Sequence, residues 1–111
     1  LLRVGVHFPG FQVLHWAGAE TEAEDGAGAL FTGDMPQVCA DRRYVSFMYS
    51  YPNWIPVDAA AVRRVYHTLN QYRFSRLHGA FPGFTVQGNA KQALRLSAER
   101  YLRAIGDHAP L

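Results

Sequence analysis

The sequence predicts an α/β fold. Short β-branched and aromatic runs are closed by Gly or Pro turns, and two later stretches have helical periodicity. The two kinds of element interleave as β-β-loop-β-(extended)-α-β-α, the alternation that goes with a layered sheet-and-helix architecture.

Residues 2–7 alternate as a strand that ends at His7. Phe8-Pro9-Gly10 forms the turn after it, Pro presetting φ and Gly taking the positive φ of a type II turn. A second strand over 11–16 completes a hairpin. Residues 18–28 are Gly, Ala and acid with no periodicity, and are expected to be an exposed acidic loop. Ala29-Leu30-Phe31-Thr32 is a short apolar run closed by Gly33-Asp34, as in a buried strand that delivers Asp34 at its end. The aromatic stretch 44–51 is compatible with either a strand or an extended loop. After Pro56, the spacing of Val62, Val65, Tyr66 and Leu69 gives one apolar helix face, and Asp58 in the first turn suits the positive helix end. Phe74 to Leu77 reads as a strand ending at His78-Gly79, and Phe81-Pro82-Gly83 as a turn. Asn89 is the expected N-cap of a last helix whose apolar face is Leu94, Ala98, Tyr101, Leu102 and Ile105, with Gly106 as its stop.

A chain of 111 residues with 49% hydrophobic and 18% charged residues has room for one small domain, not two. Its 11 basic and 9 acidic residues give a net charge of +2, too small and too scattered for a nucleic-acid signature. Four of the acids, Glu20, Glu22, Glu24 and Asp25, fall in the acidic loop. The single cysteine, Cys39, makes no intrachain disulfide and reads as a small buried hydrophobe. No apolar run of roughly eighteen residues is present, so no membrane helix is expected. With no secretory leader in view either, a cytoplasmic location is expected. The opening at Leu1, already in strand-like sequence, reads as a cut through a longer domain.

His7, Asp34 and His78 each fall at the end of a strand-like run beside a turn. Strand ends are where ligands gather in layered α/β folds, and His with carboxylate is the donor set that zinc favours. The other histidines carry less. His15 lies on a strand next to Trp16, His67 lies off the helix's apolar face, and His108 lies in the frayed tail. Tyr49, Tyr51 and Trp54, with Arg42 from Asp41-Arg42-Arg43, could line a substrate pocket, although core packing and a surface turn are the plainer readings. No serine has nucleophile spacing to a His and an acid, and no phosphate-cradling glycine motif precedes a helix.

His7-Phe8-Pro9-Gly10 resembles the His-x-Pro-Gly turn of the metallo-β-lactamase superfamily. Leu30-Phe31-Thr32-Gly33-Asp34 resembles its Gly-Asp motif, and Leu77-His78-Gly79 its late His-Gly. The three occur in the family's order and span essentially the whole chain. The resemblance implies the C-terminal half of an αββα sandwich, a single partial domain over 1–111. It implies two divalent metals, zinc by preference, with His7 on the first, Asp34 bridging both as the catalytic carboxylate, and His78 on the second. It further implies hydrolysis of an ester, amide or phosphoester by a metal-activated hydroxide. The family's upstream His-x-His-x-Asp-His is absent: none of the five histidines begins it. The isolated chain is therefore expected to hold metal weakly or not at all and to be inactive alone. It is expected to need either the missing N-terminal half or a second chain against an open sheet face, and the full protein would act on a small molecule. The other reading is a non-catalytic partner-binding or dimerisation module with the same half-fold.

Overall fold

The computed structural model describes residues 1–18 and 28–111. The acidic-loop expectation for 18–28 lies almost entirely outside the described residues. Of its ends, Gly28 belongs to a strand, where an added Cβ would run into the Trp16 carbonyl. Glycine at this position lets neighbouring backbones approach closely.

A mixed five-stranded sheet forms the centre. Its strands are β1 (Leu2–Arg3), β2 (Gln12–Trp16), β3 (Gly28–Gly33), β8 (Phe74–Gly79) and β9 (Thr85–Val86), ordered β1-β2-β3-β8-β9. Between β3 and β8 the chain forms two small ribbons, β4 (Gln37–Val38) with β5 (Val45–Ser46) and β6 (Met48–Ser50) with β7 (Ile55–Pro56). Helix α1 (Ala59–Asn70) then precedes β8, and α2 (Ala90–Ala104) follows β9. Among the described residues only the β3–β8 pairing is parallel, and α1 lies in the crossover between those two strands. Parallel neighbours need such a crossover connection.

Alternation sets the two faces of the sheet. Val13, Leu30, Leu77 and Val86 point into the core, where they meet Val62, Val65 and Leu69 of α1 and Leu94, Ala98 and Leu102 of α2. On the opposite face the register aligns Leu14, Phe31, His78 and Thr85 in one row across four strands. Leu14, Trp16 and Phe31 are each more than 40% exposed, so this face carries large apolar side chains with no layer over them among the described residues.

Several elements differ from the sequence expectation. The strand expected over 2–7 pairs only at Leu2 and Arg3. Val4 and Val6 do alternate into the core, but Gly5 (φ 67°) and His7 (φ 74°) turn the backbone out of register. The 44–51 stretch is two strands with different partners, joined by the buried Phe47. Asp58 is the N-cap of α1 rather than part of its first turn, and its carboxylate accepts from the Ala61 amide. Asn89 sits at the N-cap of α2 but in the left-handed region (φ 54°, ψ 34°) and makes no side-chain cap bond. Capping by a side chain needs the extended backbone that Asp58 has and Asn89 lacks. Ile105 is the C-cap residue and is exposed, so it leaves the apolar face. Gly106 does stop the helix: its amide reaches Arg103 O and that of Asp107 reaches Leu102 O, the paired bonds of a Schellman ending.

The tail after α2 is pinned. Arg63 donates two bonds to the Asp107 carboxylate and one to Ala109 O. That guanidinium pulls the Asp107 carboxyl down to about 2. A depressed acid adds stability above its unfolded pKa and loses it as pH falls through the folded one. Tail docking should therefore hold at neutral pH and fail between about pH 4 and pH 2, read as loss of the Ala109 amide's protection relative to the free-chain exchange rate at the same pH; Asp107→Asn should remove that protection already at pH 7.

Leu30 is fully buried in a strand paired on both edges. Leu30→Ala should cost about 2–5 kcal/mol in denaturant unfolding, from lost transfer energy and the cavity left behind. A cost below about 1 kcal/mol would mean that this position does not lie at the centre of the core.

Candidate functional site

Two of the three candidate ligands come together. The 5–9 turn places His7 in the left-handed region, which His visits more readily than most side chains. Its ring is only 15% exposed and is flanked by Phe8, Phe11 and Tyr51, with centroids 5.7, 5.6 and 6.3 Å away. Nδ1 lies 2.9 Å from the Met48 carbonyl oxygen. A carbonyl only accepts, so Nδ1 carries the proton and donates. In the neutral ring, Nε2 is then a bare lone pair, and it lies 3.6 Å from Asp34 Oδ2.

Asp34 follows the end of β3, and its backbone is held from several sides. Thr32 Oγ1 donates to Pro36 O at 2.7 Å and the buried Met35 anchors the turn. Tyr51 donates its hydroxyl to Asp34 O at 3.2 Å and lies 2.9 Å from Ser46 Oγ. Burial is the main cause that pushes the Tyr51 phenol up to about 12, so it remains a donor at neutral pH. The carboxylate itself is left 45% exposed.

His78 does not join them. It lies inside β8 rather than past its end, and the register puts it on the open sheet face. There its ring stacks on Phe31 at 4.8 Å and 12°, with Nδ1 3.3 Å from Thr85 Oγ1. Among the described residues no three His, Cys, Asp or Glu side chains come together as a metal-binding group. The other histidines are held by neighbours or exposed. His15 Nε2 bonds Arg73 O at 2.8 Å, and His67 and His108 are exposed.

The proposed pocket residues divide. Tyr49 is exposed and lines a cleft that also borders His7. Tyr51 orients Asp34 from within the packing, and Trp54 is 77% exposed at a turn. Arg42 is committed to backbone: it donates to Cys39 O, Ala40 O and Gly83 O and lies 4.0 Å over the Phe84 ring. Arg43 is paired with Asp41. Cys39 is half-buried, and burial raises its thiol pKa, which keeps it protonated and a poor nucleophile. Sequence reasoning missed the Met48 carbonyl and Thr32 Oγ1, because neither a main-chain acceptor nor a turn-closing hydroxyl has a residue-type signature.

No helix among the described residues is long and apolar enough to cross a membrane. No family model matches the chain and no solved structure matches it. It is similar to the uncharacterized protein YmaE of Bacillus subtilis (strain 168), 44% identical over 105 residues, which cover 95% of this chain and 36% of that protein. The chain thus spans about a third of the length of the curated relative it matches.

Proposed function

We propose that this chain is part of a metal-dependent hydrolase with the metallo-β-lactamase architecture, its sheet being one of the two in an αββα sandwich. The observation that carries the reading is the facing of two groups that ligate metals. With Nδ1 committed to Met48 O, His7 Nε2 faces the Asp34 carboxylate at 3.6 Å. Two lone-pair donors this close are stable only with a cation between or beside them, either a proton on Nε2 or a metal. A metal-ligating His with its other ring nitrogen donated to a backbone carbonyl is the usual arrangement of such sites.

His7 and Asp34 fit the donor chemistry of zinc in kind, though two donors are fewer than the three or four a zinc site uses. A metal held there would lower the pKa of a bound water toward neutrality and polarise an ester, amide or phosphoester oxygen. The chain's own residues supply orientation. Met48 O fixes the His7 tautomer, Tyr51 and Thr32 fix the Asp34 turn, and Phe8, Phe11 and Tyr51 limit water around the imidazole. The remaining donors would come from the rest of a longer protein, as would a second sheet over Leu14, Trp16 and Phe31. The length of the YmaE protein leaves room for both.

Zinc titration of the chain tests this reading. The expected result is weak binding of no more than one zinc, weakened further by at least about tenfold in His7→Ala and in Asp34→Asn, since losing a ligand costs no less than losing its outer-shell partner. His78→Ala should leave the affinity unchanged. Zinc binding insensitive to both His7 and Asp34 substitutions would sink the metal reading and leave the partner-binding module. In the longer protein, Asp34→Ala should abolish hydrolysis.

A further inference from the structure

Beside His7 the 5–9 turn, the β6–β7 ribbon and the start of α1 line a cleft of about 490 Å³. That volume suits a small molecule. Phe8 and Tyr49, 53% and 59% exposed, border it with apolar rings, and Arg64 reaches it from α1.

Arg64 differs in its pairing from Arg63, Arg95, Arg43 and Arg42. Arg63 is paired with Asp107, Arg95 with Glu99 and Arg43 with Asp41, and Arg42 is spent on carbonyls. Arg64 makes no ion pair or hydrogen bond with a described residue. Among the described residues the one acid lining the cleft, Asp58, is turned onto the Ala61 amide at 2.8 Å, where the positive helix end offsets its charge. A second cleft of about 480 Å³, between the helices and the tail, is also lined by an arginine with no partner among the described residues, Arg103, but two carboxylates, Glu99 and Asp107, line it as well.

A free guanidinium takes planar oxyanions in bidentate fashion, and flanking aromatic faces favour an apolar body behind the anion. We propose that this cleft binds an organic anion, a carboxylate or phosphate monoester on an aryl or acyl body, and that Arg64 is the residue that selects it. Placing the ligand's reacting bond at the His7 end rests on the hydrolase reading; anion binding itself does not.

The test is an amide NMR titration of the chain, with EDTA present, using benzoate and phenyl phosphate as anionic probes and benzamide as the neutral one. Either anion should shift the amides of residues 5–8, Tyr49 and 60–64. Arg64→Gln should weaken anion binding by about tenfold or more, as expected for a lost charge-assisted pair, with benzamide changed by less than about twofold, the loss being confined to the charge. Arg64→Lys should keep part of the anion affinity while losing the bidentate share. Anions that shift none of these amides, or an Arg64→Gln variant that weakens benzamide as much as benzoate, would overturn the assignment. Because metal is chelated throughout, failure of the zinc reading would leave this result standing.

Discussion

The hydrogen bond from His7 Nδ1 to the Met48 carbonyl joins segments 41 residues apart in sequence, and the candidate site depends on it. It ties the 5–9 turn to the β6–β7 ribbon, and the cleft reached by Arg64 lies between these two segments and α1. The same bond commits Nδ1 and leaves Nε2 as the imidazole nitrogen that faces Asp34. The unusual φ of His7 belongs to the same constraint, because an extended residue there would carry the ring along the strand instead of back toward Met48. Backbone in a sparsely populated region tends to persist where surrounding contacts over-determine it, and the three aromatic rings and Met48 O do so here.

Asp34 is held by a different mechanism with a similar result. β3 is paired on both edges and its inward side chains are fully buried, so its C-terminal end cannot wander. The turn after it is closed by Thr32 and pinned by Tyr51, whose raised pKa makes it a dependable donor across the neutral range. The chain thus fixes one ligand through a loop-to-ribbon bond and the other through the centre of the sheet. It leaves the Asp34 carboxylate partly exposed, open to a cation or to another part of a longer polypeptide.

The α/β class, the 11–16 and 29–32 strands and both helix faces were legible from hydrophobic period, since burial of Val13, Leu30, Val62 and Leu94 is a local pattern property. Gly106 was legible for the same reason: a Schellman ending is written in a few adjacent residues. The short ribbons were not, because β4 and β6 take their partners by register over turns whose geometry no periodicity encodes. Asp34 was legible as the residue that follows a buried strand, whereas β1 ends at Arg3 and His7 lies in the turn beyond it rather than at a strand end. His78 goes where alternation sends it: with Leu77 turned into the core, His78 lies on the opposite face beside Phe31. Arg64 was hidden because sequence shows two adjacent arginines, and only the fold gives Arg63 to Asp107 and leaves its neighbour without a partner among the described residues.

Among the described residues no layer covers Leu14, Trp16 and Phe31, and the proposed hydrolase reading takes that layer and the further donors from a longer protein. The most direct measurement of the central claim is nitrogen NMR of the His7 imidazole, first without metal and then with zinc. The account predicts a proton held on Nδ1 both without and with metal, and an Nε2 resonance that zinc moves. A ring protonated at Nε2 instead, or an Nε2 resonance that zinc leaves unmoved, would contradict it.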